Sequence, residues 1–116
     1  MKISDSEMKI MKLIWQGGAM TAADVLDEAH EDWKITTVFT FLKRLCDKGM
    51  LEVSKVGKIN YYKAVMTEDE YKRSQSEEFL NDMYSGSVKN FLAALYGGDK
   101  MNKQDIEEIK DWFEKL

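Results

Sequence analysis

The sequence predicts a mostly α-helical fold with one small β-hairpin. Three observations carry this. Residues 35–57, ITTVFTFLKRLCDKGMLEVSKVG, read as a short amphipathic helix running straight into a strand with a basic tip. Two further helical stripes precede it at close spacing. Beyond residue 66 the texture changes to three helical segments, which divides the chain into residues 1–66 and 67–116.

Ser4 or Asp5 can cap a first helix, whose apolar stripe is Met8, Ile10, Met11, Leu13, Ile14 and Trp15. Apolar residues at this spacing line one face of a 3.6-residue repeat, and Gly17-Gly18 stops it. Thr21 caps a second helix with Asp24 three residues on, a capping-box spacing, and Val25, Leu26 and Ala29 form its apolar side. Thr36 or Thr37 starts a third. Its buried face is Val38, Phe41, Leu42 and Leu45, at i, i+3, i+4 and i+7, and Gly49 ends it. Leu51–Ser54 and Ile59–Lys63 then read as two strands joined around Gly57-Lys58. Three helices and a terminal hairpin make the winged form of a helix-turn-helix.

Thr67-Glu68-Asp69-Glu70 is a helix start, and that helix runs to about Tyr84 with Phe79, Leu80 and Met83 near its end. Ser85-Gly86-Ser87 breaks it. Val88, Phe91, Leu92 and Leu95 stripe a short fifth helix that Gly97-Gly98 ends. Asn102 caps a sixth, striped by Ile106, Ile109, Trp112 and Phe113. Segments this short are marginal alone, so their apolar faces need cover. A second subunit is the simplest source, which makes residues 67–116 a helical dimerisation region. Packing back onto the same chain is the alternative.

The 116 residues, 44% hydrophobic and 33% charged, suit one domain with a modest appendage. No run of about 18 apolar residues and no charged-then-apolar leader occurs, so the expectation is a cytoplasmic protein with neither membrane span nor signal peptide. Cys46, the one cysteine, falls in a helical apolar pattern and reads as a small core residue. His30, the one histidine, has no second ligand nearby and reads as a solvated helix end. No metal or other cofactor is expected.

The net charge of −4 conceals a strong asymmetry. Residues 33–65 carry seven basic and two acidic side chains, whereas the segments on either side are each acidic. A basic patch matters more for a polyanion than the total does. The outer face of the third helix presents Thr36, Thr37, Phe39, Thr40, Lys43 and Arg44, and the hairpin tip presents Lys55 and Lys58. Threonine can hydrogen-bond a base edge or meet a thymine methyl, and cations suit phosphates. Phe39 has two readings, a wide apolar stripe toward the second helix or contact with thymine methyls. The lysine tip can follow the phosphate backbone or dip into the minor groove.

The candidate function is therefore double-stranded DNA binding by a homodimer. The rival is a winged helix used as a protein–protein adaptor. Catalysis is disfavoured: no Cys–His pairing, no Gly-rich phosphate loop and no Ser–His–Asp set is present, and no catalytic residue is assigned.

Ser6-Glu7, Ile10-Met11, Ile14-Trp15, Trp33, Thr36-Thr37-Val38, Leu42-Lys43-Arg44-Leu45 and Lys48-Gly49-Met50-Leu51 together resemble the penicillinase repressor (BlaI/MecI/CopY) family of winged-helix transcriptional regulators over about residues 4–70. Gln104–Ile109 also resembles its antibiotic-sensing branch. The resemblance implies a homodimeric repressor on a palindromic operator, with base and phosphate contacts at Thr36, Thr37, Phe39, Thr40, Lys43 and Arg44. This chain departs from the family at Phe39, where relatives often carry a polar or basic reader. It departs again in the hairpin, where Lys58 follows Gly57 in place of Arg, Asn60 replaces an aromatic and Ala64 a proline. The family's copper branch uses C-terminal Cys-x-Cys pairs, absent after Cys46. Its β-lactam branch implies a membrane sensor-protease partner and cleavage in the short helix, here near Ala94-Leu95, with Ala94 where close relatives have Asn.

Overall fold

The computed structural model describes residues 2–116. The elements are α1 (Asp5–Gly17), α2 (Ala22–Ala29), α3 (Ile35–Asp47), β1 (Leu51–Val56), β2 (Ile59–Ala64), α4 (Glu68–Tyr84), α5 (Val88–Tyr96) and α6 (Lys103–Glu114). Two compact units result, one ending at Tyr71 and the other running from Lys72 to Leu116. None of the described helices is long and apolar enough to cross a membrane.

In the first unit, α1 begins with a capping box. The Ser4 hydroxyl accepts from the Glu7 N–H at 3.2 Å and the Glu7 carboxylate accepts from the Ser4 N–H at 2.9 Å. The stripes of the three helices meet in one core of Ile10, Met11, Ile14, Val25, Val38, Leu42 and Leu45. Each such side chain contributes roughly 1.5–3 kcal/mol when fully buried. Phe41 departs from the expected pattern: it is half-buried, edge-on to Trp33 with ring centroids 5.2 Å apart. It sits at the border of the α3 stripe, where Trp33 supplies the cover that the core does not.

The hairpin pairs Leu51 with Ala64 through to Val56 with Ile59, so Gly57 and Lys58 alone form the turn. Gly57 has φ 64°, and Lys58 is not among the positive-φ residues. That is the two-residue turn that places glycine first and matches strand twist. The hairpin is wider than the sequence suggested. Met20, between α1 and α2, makes a two-bond bridge to Tyr62: each N–H donates to the other's carbonyl, at 3.1 and 2.7 Å. One residue of partner is too short to leave an alternating pattern.

The unit runs past residue 66 because Trp15 fastens the start of α4 to α1. Its indole Nε1–H donates to the Met66 carbonyl at 2.9 Å, and its ring packs on Tyr71 at 5.6 Å. Tyr71 is the last buried residue of the chain. Between Lys72 and Leu116 no residue is buried. α4 is polar around most of its surface. Phe79, Tyr84 and Phe91 cluster with centroids 5.4–6.0 Å apart across the turn at Ser85-Gly86, where both residues have positive φ.

Glu7 is the one buried charged residue described, at 1% exposure. Lys48 Nζ lies 2.5 Å from its Oε1. Burial pushes the Glu7 carboxyl up, but the hydrogen bonds from Lys48 and Ser4, with the lysine charge, hold it below its ordinary 4.5. A lowered folded value means stability that is present above the ordinary carboxylate range and lost as pH falls through the folded value. Glu7→Gln should therefore lower stability by about 1–3 kcal/mol near neutral pH. Measured by urea unfolding, that gap should narrow as the pH drops below the ordinary value; a gap independent of pH would refute the role of the charge.

Candidate nucleic-acid interface

Six helices lie among the described residues, and five start with a side-chain cap. Ser4, Thr21, Thr67, Ser87 and Asn102 each accept a hydrogen bond from the backbone N–H three residues on. α3 starts at Ile35, ahead of the Thr36 or Thr37 that the sequence indicated, with Lys34 as N-cap and no side-chain bond. The Lys34 carbonyl takes the Thr37 and Val38 N–H groups at 3.0 and 3.1 Å. Thr36 and Thr37 thus stand inside the first turn, so neither hydroxyl is consumed in capping. A lysine at this position opposes both the capping preference and the helix dipole. Uncapped N–H groups beside a cation form an arrangement suited to a phosphate.

Along the exposed face of α3, Thr36 and Thr40 follow one another by one turn, and Phe39 stands between Thr36 and Lys43. The Thr40 hydroxyl donates to the Thr36 carbonyl at 3.1 Å. Its proton is committed, so toward a ligand it offers an accepting oxygen and a methyl group. Thr37 is half-buried. Phe39 is 49% exposed and is absent from the hydrophobic core and its packed border, so much of its side chain is open to a ligand. Lys43 Nζ is 2.9 Å from Asp47, an exposed i,i+4 pair of small energy. Arg44 is exposed and makes no ion pair.

Ion pairs within the protein thin the basic segment. Lys48 is committed to Glu7 and Lys63 lies 3.4 Å from Glu52. Among the described residues, the cations of this segment left without an acidic partner are Lys34, Arg44, Lys55 and Lys58, at the two ends of α3 and on the hairpin. Lys34 is the member of this set that sequence reasoning missed; a lysine where Ser, Thr or Asp is favoured was the available signal. Cys46 is half-buried against the core, and burial together with Asp47 raises its thiol pKa. His30 is exposed and ends α2 in a left-handed conformation.

In the second unit, Phe79, Met83, Val88, Trp112 and Phe113 are exposed, whereas Leu80, Phe91, Leu92, Leu95, Ile106 and Ile109 are half-buried. Leu92, Tyr96, Met101, Ile106 and Ile109 line an apolar cleft of about 320 Å³. Ala94 is exposed on α5 beside half-buried Leu95.

Comparison with known proteins agrees with this geometry. The Penicillinase repressor family profile matches residues 3–115. The penicillinase repressor of Bacillus licheniformis is 30% identical over 110 residues, covering 93% of this chain and 86% of that protein. The methicillin resistance regulatory protein MecI of Staphylococcus aureus is 27% identical over 116 residues, covering 98% and 94%. The solution structure of the DNA-binding domain of the repressor BlaI superposes with a TM-score of 0.54 at 33% identity, over 60% of this chain and 88% of that one. Monomeric B. licheniformis BlaI, solved with the blaP half-operator, gives 0.53 at 33% identity over 61% and 89%. A MarR family protein of Bacillus stearothermophilus shares the fold at 9% identity, with a TM-score of 0.53 over 97% and 76%. With the profile spanning nearly its whole length and a 30%-identical relative matched over most of it, this chain belongs to the penicillinase repressor family.

Proposed function

We propose that the protein is a homodimeric transcriptional repressor that binds a palindromic operator through α3 and the wing. The observation that carries this is α3 itself. It is the one described helix without a side-chain cap, and it exposes Thr36, Phe39, Thr40 and Arg44 in a chain of this family. The N-terminal part of such a helix faces base edges, and cations farther along meet phosphates. Thr40, with its proton committed, suits a base amino group or a thymine methyl; Phe39 suits thymine methyls.

Dimerisation is supported by the absence of any buried residue from Lys72 to Leu116 beside so many apolar ones. Exposed apolar surface of this kind marks an association site. Two linked copies read two half-sites about one DNA turn apart, the second binding at high effective concentration. Release then needs no change in the DNA-contacting residues. Cutting near Ala94-Leu95 by a membrane sensor-protease answering a β-lactam-type signal would part α6 from α5 and loosen the dimer. The exposure of Ala94 supports that position.

Selection of bound DNA from a random pool, repeated at two salt concentrations, tests the reading; enrichment of one palindrome is expected. Weak binding without enrichment would leave only generic DNA affinity, and no binding would favour the adaptor. Arg44→Ala should weaken binding to all sequences alike and reduce the salt slope by about one. An unchanged slope would refute a phosphate contact. Phe39→Ala should cost about 1 kcal/mol on the operator and nothing on random DNA; equal losses on both would argue against base readout. Leu92→Asp places a charge in an apolar interface and should yield monomers in sedimentation. A variant that stays dimeric would place the interface elsewhere.

A further inference from the structure

The chain passes from β2 to α4 in three residues, and each of them is fastened. The Val65 N–H donates to the Met50 carbonyl at 3.0 Å. The Met66 carbonyl accepts from the Trp15 indole at 2.9 Å. Thr67 caps α4: its hydroxyl accepts from the Glu70 N–H at 3.1 Å, and its carbonyl takes the Tyr71 N–H at 3.0 Å. Tyr71 then sets its ring against Trp15, with the planes tilted by 40°. Trp15 thus grips the connector by a hydrogen bond and the first turn of α4 by a ring contact. Its indole is half-buried at the border of the core. A buried tryptophan needs some acceptor for its one N–H. Here that acceptor is the connector, 51 residues along the chain.

Beyond Tyr71, α4 continues unbroken to Tyr84, and no residue of that stretch is buried. No glycine or proline interrupts it, so nothing in it invites a kink. The direction of its far part is therefore decided where it starts. The thirteen residues from Tyr71 to Tyr84, at 1.5 Å each, make a lever of about 20 Å. Turning that lever by roughly 10° at Tyr71 moves its end by about 3.5 Å, close to the rise of one base pair. Two joined readers accept only the half-site separation that their linkage allows.

We infer that Trp15 is a positioning residue for half-site spacing: by holding Met66 and Tyr71 it fixes the direction in which α4 leaves the DNA-reading unit. The role requires no contact between Trp15 and DNA. It rests on the proposed dimeric operator binding and adds the residue that decides which separations of the half-sites are accepted.

The test uses the full chain and a palindromic operator selected from a random pool. Binding is compared with versions that have one base pair added or removed between the half-sites, and with a duplex carrying one half-site alone. For the unmodified chain, either change of spacing should weaken binding about tenfold or more. Trp15→Phe keeps an aromatic ring for Tyr71 and removes the N–H donor. It should cut the spacing penalty to less than about threefold and leave half-site affinity within about twofold. Tyr71→Leu removes the ring contact, keeps the hydrogen bond and should lower the penalty in the same direction. A role in stability alone would weaken operator and half-site in proportion and leave the spacing penalty intact. That result overturns the inference while operator binding stands. If Trp15→Phe no longer binds the half-site, Tyr71→Leu decides by the same criterion. Loss of half-site binding by both variants assigns Trp15 to the folding of the reader and overturns the inference. If the unmodified chain binds the palindrome no more tightly than the half-site, the dimeric reading itself falls.

Discussion

One buried carboxylate sets the geometry on which the rest of the first unit depends. Glu7 is removed from water, and an isolated charge there would be expensive. Its acceptor sites are met instead by the Ser4 N–H, which closes the first turn of α1, and by Lys48, the residue that ends α3. The same side chain therefore starts one helix and fixes the end of another. Immediately after Lys48 the chain turns at Gly49, with φ 77°, and the Met50 N–H donates back to the Leu45 carbonyl at 2.9 Å. The direction in which β1 leaves α3 is set at that point. At the far side the Met20–Tyr62 bridge secures β2 to the segment between α1 and α2. α3 and the wing are thus held in fixed relation by interactions that touch neither exposed face. A preorganised pair of elements loses little freedom when it meets a rigid partner.

Against that well-satisfied background, the start of α3 breaks local rules. Five helices place a hydroxyl or amide at the cap, and three close a reciprocal box. α3 has Lys34 there. A cap is worth roughly 1 kcal/mol, so α3 begins less favourably than a sequence chosen for stability alone would allow. Such violations concentrate where a site has to be left open. The missing acceptor is the kind of group a phosphate oxygen supplies, and Lys34 adds the charge to attract it. Lys34 and Arg44 then bracket the helix with free cations, while Lys43 is paired with Asp47 on its own helix and Lys63 with Glu52 on the neighbouring strand. The effective cationic surface is smaller and more sharply placed than a count of basic residues implies.

The elements of the fold were readable because their signals are local. The cap at Ser4 or Asp5, the capping-box spacing at Thr21, the 3.6-residue stripe Val38–Leu42–Leu45 and the Gly57 turn each declare themselves within a few residues, and the structure has them, with Ser4 as the first cap. What escaped depends on partners distant in the chain. The Met20–Tyr62 bridge joins positions 42 residues apart, and the Trp15 contacts to Met66 and Tyr71 are longer still. Nothing within α3 announced that Lys48 would be spent on Glu7, since lysines after a helix usually stay in water. The start of α3 lies at Ile35, ahead of the two threonines that resemble a helix start. Here their neighbour's carbonyl closes the turn first, which leaves both hydroxyls outside the capping role. The exposed positions Thr36, Phe39, Thr40, Arg44, Lys55 and Lys58 were visible as the outward remainder of an amphipathic pattern.

The second unit obeys a different constraint. Its apolar side chains are numerous enough to stripe α5 and α6, yet none between Lys72 and Leu116 is buried. A single copy of these helices lacks the material to enclose its own Leu92, Ile106 or Trp112. The stability of such a region is tied to whatever covers it, and for a second copy that means to protomer concentration. In the proposed repressor this has a regulatory consequence. Sequence preference resides in the first unit, which is closed and held by Glu7, Trp15 and the Met20 bridge. Operator affinity resides in the coupling of two such units, and the coupling rests on the part of the chain that buries least by itself. A modest loss of apolar contact there would therefore be felt as a large loss of operator occupancy, because the effective concentration of the second reader multiplies the affinity of the first.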